Sequence, residues 1–92
     1  MQSTLTFRPA SNVAVAEFDG EAVLLNVTSG IYFGLNPIAN RIWQLLSMGA
    51  SEPEIAQTML DEYDVDEARL RTDIAATMRQ LEANGLVSRV EA

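Results

Sequence analysis

Asp61, Glu62, Asp64 and Asp66 form the densest group of chemically capable side chains in the sequence. Carboxylates this close together could gather around a hard cation, which prefers oxygen ligands. Their spacing argues for a plainer role. The ordered oxygen ligands of a calcium loop are missing, Asp61 and Glu62 share the end of a predicted helix, and Asp66 stands where a helix-capping residue is needed. We therefore read them as cap and surface charge and expect no metal site. The chain has no cysteine and no histidine, which removes thiolate ligands, the commonest metal ligand and the usual proton carrier near neutral pH. No phosphate-binding glycine loop and no nucleophile with a plausible base can be found. The sequence predicts no catalytic residue, no cofactor and no enzyme.

All six basic residues are Arg, and the formal net charge is -7. Such a balance disfavours nucleic acid, whose binders draw affinity from concentrated cations. Arginine can hold a carboxylate through two parallel hydrogen bonds, so these few cations suit a peptide better than a polyanion. No run approaches the ~18 apolar residues of a membrane span, and Met1 to Ala10 lacks the layout of a signal peptide. The expected setting is cytoplasmic, with no membrane partner. With 92 residues, 48% hydrophobic and 21% charged, the chain should form one folded domain over 1–92, with 1–12 as an extended arm that is either flexible, folded over the sheet or swapped between protomers.

The stretch that organises the rest is Gly30-Ile31-Tyr32-Phe33-Gly34-Leu35-Asn36-Pro37. Its β-branched, aromatic and bulky residues suit a strand, while Asn36 can cap a helix and Pro37 fits the first helical position. Before it, Val13–Phe18 and Glu21–Val27 flank Asp19-Gly20, a two-residue hairpin turn. That turn sets Phe18 opposite Glu21, Val15 opposite Leu24 and Ala16 opposite Val23, leaving apolar residues on both faces. After Thr28-Ser29-Gly30, Ile31–Leu35 should be a third strand with one neighbour. Nothing charged defends that edge, and Gly34 leaves room for another backbone.

Three helices follow. Pro37 to about Met48 carries Ile38, Ile42, Leu45 and Leu46 at core spacing, with Trp43 read as core. Ser51 and Glu54 form a capping box for the second, and Asp66 caps a third that runs to Asn84. Leu70, Ile74, Met78 and Leu81 make the third helix's buried stripe. Glu67 with Arg71 and Arg69 with Asp73 are candidate local ion pairs. Leu86–Val90 is a brief extended segment. The fold class is α+β: a winged-helix-like, three-stranded antiparallel sheet followed by three α-helices.

This order resembles the PqqD-like family, small recognition domains for ribosomally made peptides that are later modified. The resemblance is carried by Leu24-Leu25-Asn26, Ser29 to Asn36, Ile42-Trp43-Gln44-Leu45-Leu46, Glu54-Ile55-Ala56, Tyr63-Asp64-Val65 and Leu81 to Val87. It implies a non-catalytic protein that binds the leader segment of a precursor peptide. The leader would add as a strand to Ile31–Leu35, beside the helix over 66–84, and be presented to a leader peptidase or modifying enzyme such as a protease, cyclase or radical SAM enzyme. Carried onto this sequence, the peptide-binding residues are Ile31, Tyr32, Phe33, Gly34 and Leu35 on the strand. Arg71, Asp73, Ile74, Ala75, Thr77 and Met78 follow on the helix, placed by groove geometry. The Ala-rich third helix and the Leu-Asn-Pro helix start favour a lasso-type recognition protein over a pyrroloquinoline quinone one.

Two other readings compete. The helix order also suits a winged-helix DNA-binding regulator, against which the charge argues. A small homodimer, paired through the arm or the edge strand, would explain the two-faced hairpin.

Overall fold

The computed structural model describes residues 5–91. The order is β1 (Leu5–Pro9), β2 (Val13–Phe18), β3 (Glu21–Asn26), β4 (Ile31–Leu35), α1 (Pro37–Ser47), α2 (Glu52–Glu62), α3 (Glu67–Ala83) and β5 (Val87–Glu91). Strands β2, β3 and β4 form an antiparallel meander in that spatial order. Its register follows the Asp19-Gly20 turn, where both residues take positive φ, 52° and 79°. Phe18 pairs with Glu21, Val15 with Leu24 and Ala16 with Val23, because a two-residue turn of this kind leaves one register open.

Alternation then sorts the meander into two faces. Ala22, Leu24 and Leu35 point inward and are buried against the helices. Phe18 and Tyr32 lie on the other face and stay exposed. The core beneath is closed by Ile42 and Leu46 of α1, Ile55 and Met59 of α2, and Ile74, Met78 and Leu81 of α3, each almost wholly buried. Trp43 is buried among them, as its spacing predicts.

Helix boundaries follow local chemistry. Asn36 accepts from the Ala39 N–H at 2.9 Å. Ser51 and Glu54 close the capping box, with the Ser51 N–H donating to Glu54 Oε1 at 2.8 Å and the Glu54 N–H to Ser51 Oγ at 3.3 Å. Asp66 accepts from the Arg69 N–H at 2.9 Å. Two members of the acidic cluster thus have defined structural tasks, since Asp66 caps α3 and Glu62 holds Arg41 through Nε at 2.8 Å. Among the described residues no group of three or more His, Cys, Asp or Glu side chains is arranged to hold a metal ion.

The ends of the chain needed the structure. Met1 to Thr4 lie outside the described residues, but from Leu5 the expected arm is a strand. It pairs with the terminal segment as an antiparallel two-stranded sheet, Phe7 opposite Arg89 and Pro9 opposite Val87. Phe7 is buried in the core, and Thr6 forms a bridge to Ser51 at the start of α2. From Leu5 on, the arm therefore packs beside the helices, and among the described residues nothing covers Phe18 and Tyr32 on the outer face of the meander. Among the described residues, β5 is the only strand after α3, and it pairs with β1.

Candidate peptide-binding site

β4 pairs with β3 on one side, Leu24 opposite Phe33 and Leu25 opposite Tyr32, and among the described residues has no strand on the other. In an antiparallel ladder alternate residues turn both main-chain groups away from the partner, so the free flank of β4 presents donors and acceptors in a row. Ile31 is 44% exposed, Tyr32 71%, and Gly34 is exposed as well. A Cβ built on Gly34 would meet nothing within 4 Å, so the chain itself imposes no crowding there. Leu35 is buried and Phe33 half-buried, which roots the strand in the core.

Directly after β4, Asn36 begins the lining of a groove of about 340 Å³. One wall is Asn36, Ile38, Ala39 and Ile42 at the start of α1; the other is Asp73, Ala76, Thr77 and Gln80 of α3. These four α3 positions follow i, i+3, i+4, i+7, a single stripe along one side of the helix. The groove shares Ile38 and Asp73 with a smaller cavity of about 130 Å³, walled by Met59, Tyr63, Val65 and Leu70 and rimmed by Asp66 and Arg69. The expected ion pair between Arg69 and Asp73 does not form. Both charges therefore stand at the rim without a salt-bridge partner among the described residues.

Of the helix residues carried over from the family, Asp73 and Thr77 border this groove. Ile74 and Met78 are 1% and 2% exposed and belong to the core. Their side chains support the groove from below, as members of the buried stripe. Arg71 faces the other side of α3, over a separate hollow formed with Glu52, Pro53 and Ala56, and its Nε donates to Glu67 at 2.9 Å. Ala75 lies one turn on from Arg71 and is half-buried. Ala76, Gln80 and Ile38 were missed. Their signal was available for α3: the groove stripe runs directly beside the core stripe, offset by one or two residues, whereas the residues chosen spread around more than half of the helix.

Charge near the groove is sparse. The resolved carboxyl shifts lie elsewhere: Glu62 and Glu82 are held below the usual carboxylate range by hydrogen bonds from Arg41 and Arg89, and Glu54 by those from Ser51. Among the described residues the site offers an uncharged strand edge, a groove of mixed apolar and polar lining with the Asp73 carboxylate, and Asp66 and Arg69 at the rim of the adjoining cavity. That chemistry suits an extended peptide.

Comparison with known proteins fits this geometry. Residues 21–87 match the family described as coenzyme PQQ synthesis protein D. The chain belongs to the PqqD family. Two solved structures resemble it closely. One is TbiB1 in complex with the TbiA(beta) leader peptide, 34% identical with a TM-score of 0.82, covering 88% of this chain and 94% of that one. The other is a lasso peptide synthetase B1 complexed with its leader peptide, 38% identical with a TM-score of 0.81, covering 89% and 96%. No curated protein matches the chain.

Proposed function

We propose that this protein is a non-catalytic recognition module that captures the leader segment of a ribosomally made precursor peptide. The leader adds as a strand to β4 and extends into the groove bounded by the start of α1 and α3. The observation that carries this reading is the flank of β4 that no strand covers among the described residues, undefended by charge and followed at Asn36 by a groove of mixed apolar and polar lining. Main-chain hydrogen bonds along the edge supply affinity for an extended chain, and the groove selects side chains. Tyr32 and Phe33 flank the added strand on opposite faces, while Ile38, Asp73, Ala76, Thr77 and Gln80 line its continuation. Ile74 and Met78 act through the packing beneath. The two leader-bound relatives support a lasso-type role over a quinone one. The bound leader would then be offered to a leader peptidase or a modifying enzyme.

The test is a titration of a labelled leader peptide, taken from the precursor encoded beside this chain's gene. Methylating its backbone nitrogens one at a time should weaken binding at alternate positions, since only every second N–H of the guest points at β4. Ala76→Phe, which fills the groove, should weaken binding by about tenfold or more. Absence of binding at tens of micromolar, or a flat methylation profile, would overturn the reading.

A homodimer is the second reading, favoured by the uncovered outer face with Phe18 and Tyr32 and by the two free strand edges of the meander. Sedimentation across concentration separates it from the first. Pairing through β4 would compete with the leader. DNA binding has no comparable support, because the net charge of -7 opposes a phosphate backbone. Among the described residues no helix is long and apolar enough to cross a membrane.

A further inference from the structure

No hydrogen bond joins β4 directly to α3 among the described residues, yet one buried side chain reaches from the turn that starts β4 to the last turn of the helix. Asn26, at the inner end of β3, is 6% exposed. Its Oδ1 accepts from the Thr28 N–H at 3.0 Å and the Ser29 N–H at 3.1 Å, folding the turn that leads to Ile31. The same oxygen accepts from Asn12 Nδ2 at 2.9 Å. On its other side, Nδ2 donates to the carbonyl of Asn84 at 3.1 Å, the residue that caps α3.

Asn84 in turn donates to the Gln80 carbonyl through its main-chain N–H at 3.1 Å and its Nδ2 at 2.8 Å. Gln80 lines the groove. The amide cannot be reversed: two main-chain N–H donors require oxygen on one side, and a carbonyl requires nitrogen on the other. The fit is also close. A Cβ on Gly85, which takes φ 68°, would come within 3.0 Å of Asn26 Nδ2.

We propose that Asn26 is a positioning residue for peptide recognition, setting the separation of the β4 edge from the C-terminal turn of α3 so that one extended strand is accommodated. The inference rests on the reading of β4 as the docking edge. Its requirement is a neutral amide. Aspartate preserves the acceptor that folds the turn but sets a carboxylate against the Asn84 carbonyl, while alanine removes both halves of the bridge.

The experiment uses the full chain with Asn26→Asp and Asn26→Ala, and Ile55→Val as a core variant remote from the groove, at a temperature where circular dichroism shows each folded. Leader-peptide affinity and dissociation rate are measured together with amide hydrogen exchange. Asn26→Asp should weaken leader binding about tenfold or more, chiefly through faster dissociation, while Ile55→Val stays within about twofold. Exchange should accelerate at Asn84 and Gly85 in Asn26→Asp while Thr28 and Ser29 remain protected; in Asn26→Ala all four should accelerate. Unchanged affinity in Asn26→Asp, or a loss no greater than in Ile55→Val, would overturn the inference. A wild type that binds no leader would instead refute the proposed function, and unchanged exchange at Asn84 and Gly85 would remove the tether whatever the binding result.

Discussion

The meander has two edge strands, and they are treated differently. β2 and β4 each have β3 as their one strand neighbour among the described residues; Val15 and Glu17 of β2 line a groove with α1, and the groove beside α3 begins at Asn36, directly after β4. On β2 a charge sits on the inward face: Glu17, whose Oε2 accepts from Gln44 Nε2 of α1 at 2.8 Å. Gln44 Oε1 also receives Arg41 Nη1 at 3.2 Å, and Arg41 is held by Glu62 of α2. That side of the sheet is laced with polar contacts. On β4 the corresponding stretch, Ile31 to Leu35, carries no charge. An inward charge is a common defence of a sheet edge, because a second chain pairing there would have to bury it. The difference is one of defence: within one small sheet, one edge strand carries an inward charge and the other carries none.

The strand between them supports both. Leu24 of β3 is fully buried opposite Val15 on one side and Phe33 on the other. Leu24→Ala should cost about 2–5 kcal/mol of stability, read by urea unfolding, and should weaken both edges at once. If it abolished leader binding without loss of stability, the two edges would not share a common support.

A smaller effect comes from exchanging the defence. Ile31→Glu places a charge on the inward face of β4, at a position exposed enough to tolerate it, and should weaken leader binding about 30-fold, or roughly 2 kcal/mol. The reciprocal change, Glu17→Val, should leave leader affinity unchanged and promote self-association through β2, seen by sedimentation. Leader binding insensitive to Ile31→Glu would break the comparison.

The smallest effect is one of pH. Glu17 is held below the usual carboxylate range by the Gln44 amide, with a lesser contribution from Asn40. A carboxyl whose folded pKa is depressed stabilises the fold fully above its unfolded pKa, and the contribution is lost as pH falls through the folded value. Acidification through that window should therefore neutralise the guard on β2 and favour self-association. Glu17→Gln should flatten this response, measured by light scattering across the acid range.

Much of this arrangement could be read locally. Asp19-Gly20 fixed the hairpin register, because so short a turn leaves no freedom to slip. Asn36, Ser51 and Asp66 marked the helix starts, because a cap satisfies N–H groups only two or three residues away. The Ile31–Leu35 edge was legible for the same reason: what defends a strand is carried on the strand.

The face of α3 that borders the groove was not legible in this way. Asp73, Ala76, Thr77 and Gln80 became its lining only when Leu70, Ile74, Met78 and Leu81 seated in the core and fixed the rotation of the helix, sending Arg71 to the far side. The pairing of β1 with β5 joins residues from opposite ends of the sequence, Phe7 with Arg89 for example, and Asn26 bridges to Asn84 across most of the chain. Turn and cap chemistry is written in neighbouring residues, so the sequence determined it alone. Contacts between distant residues depend on how the core packs, and that was decided by the tertiary structure.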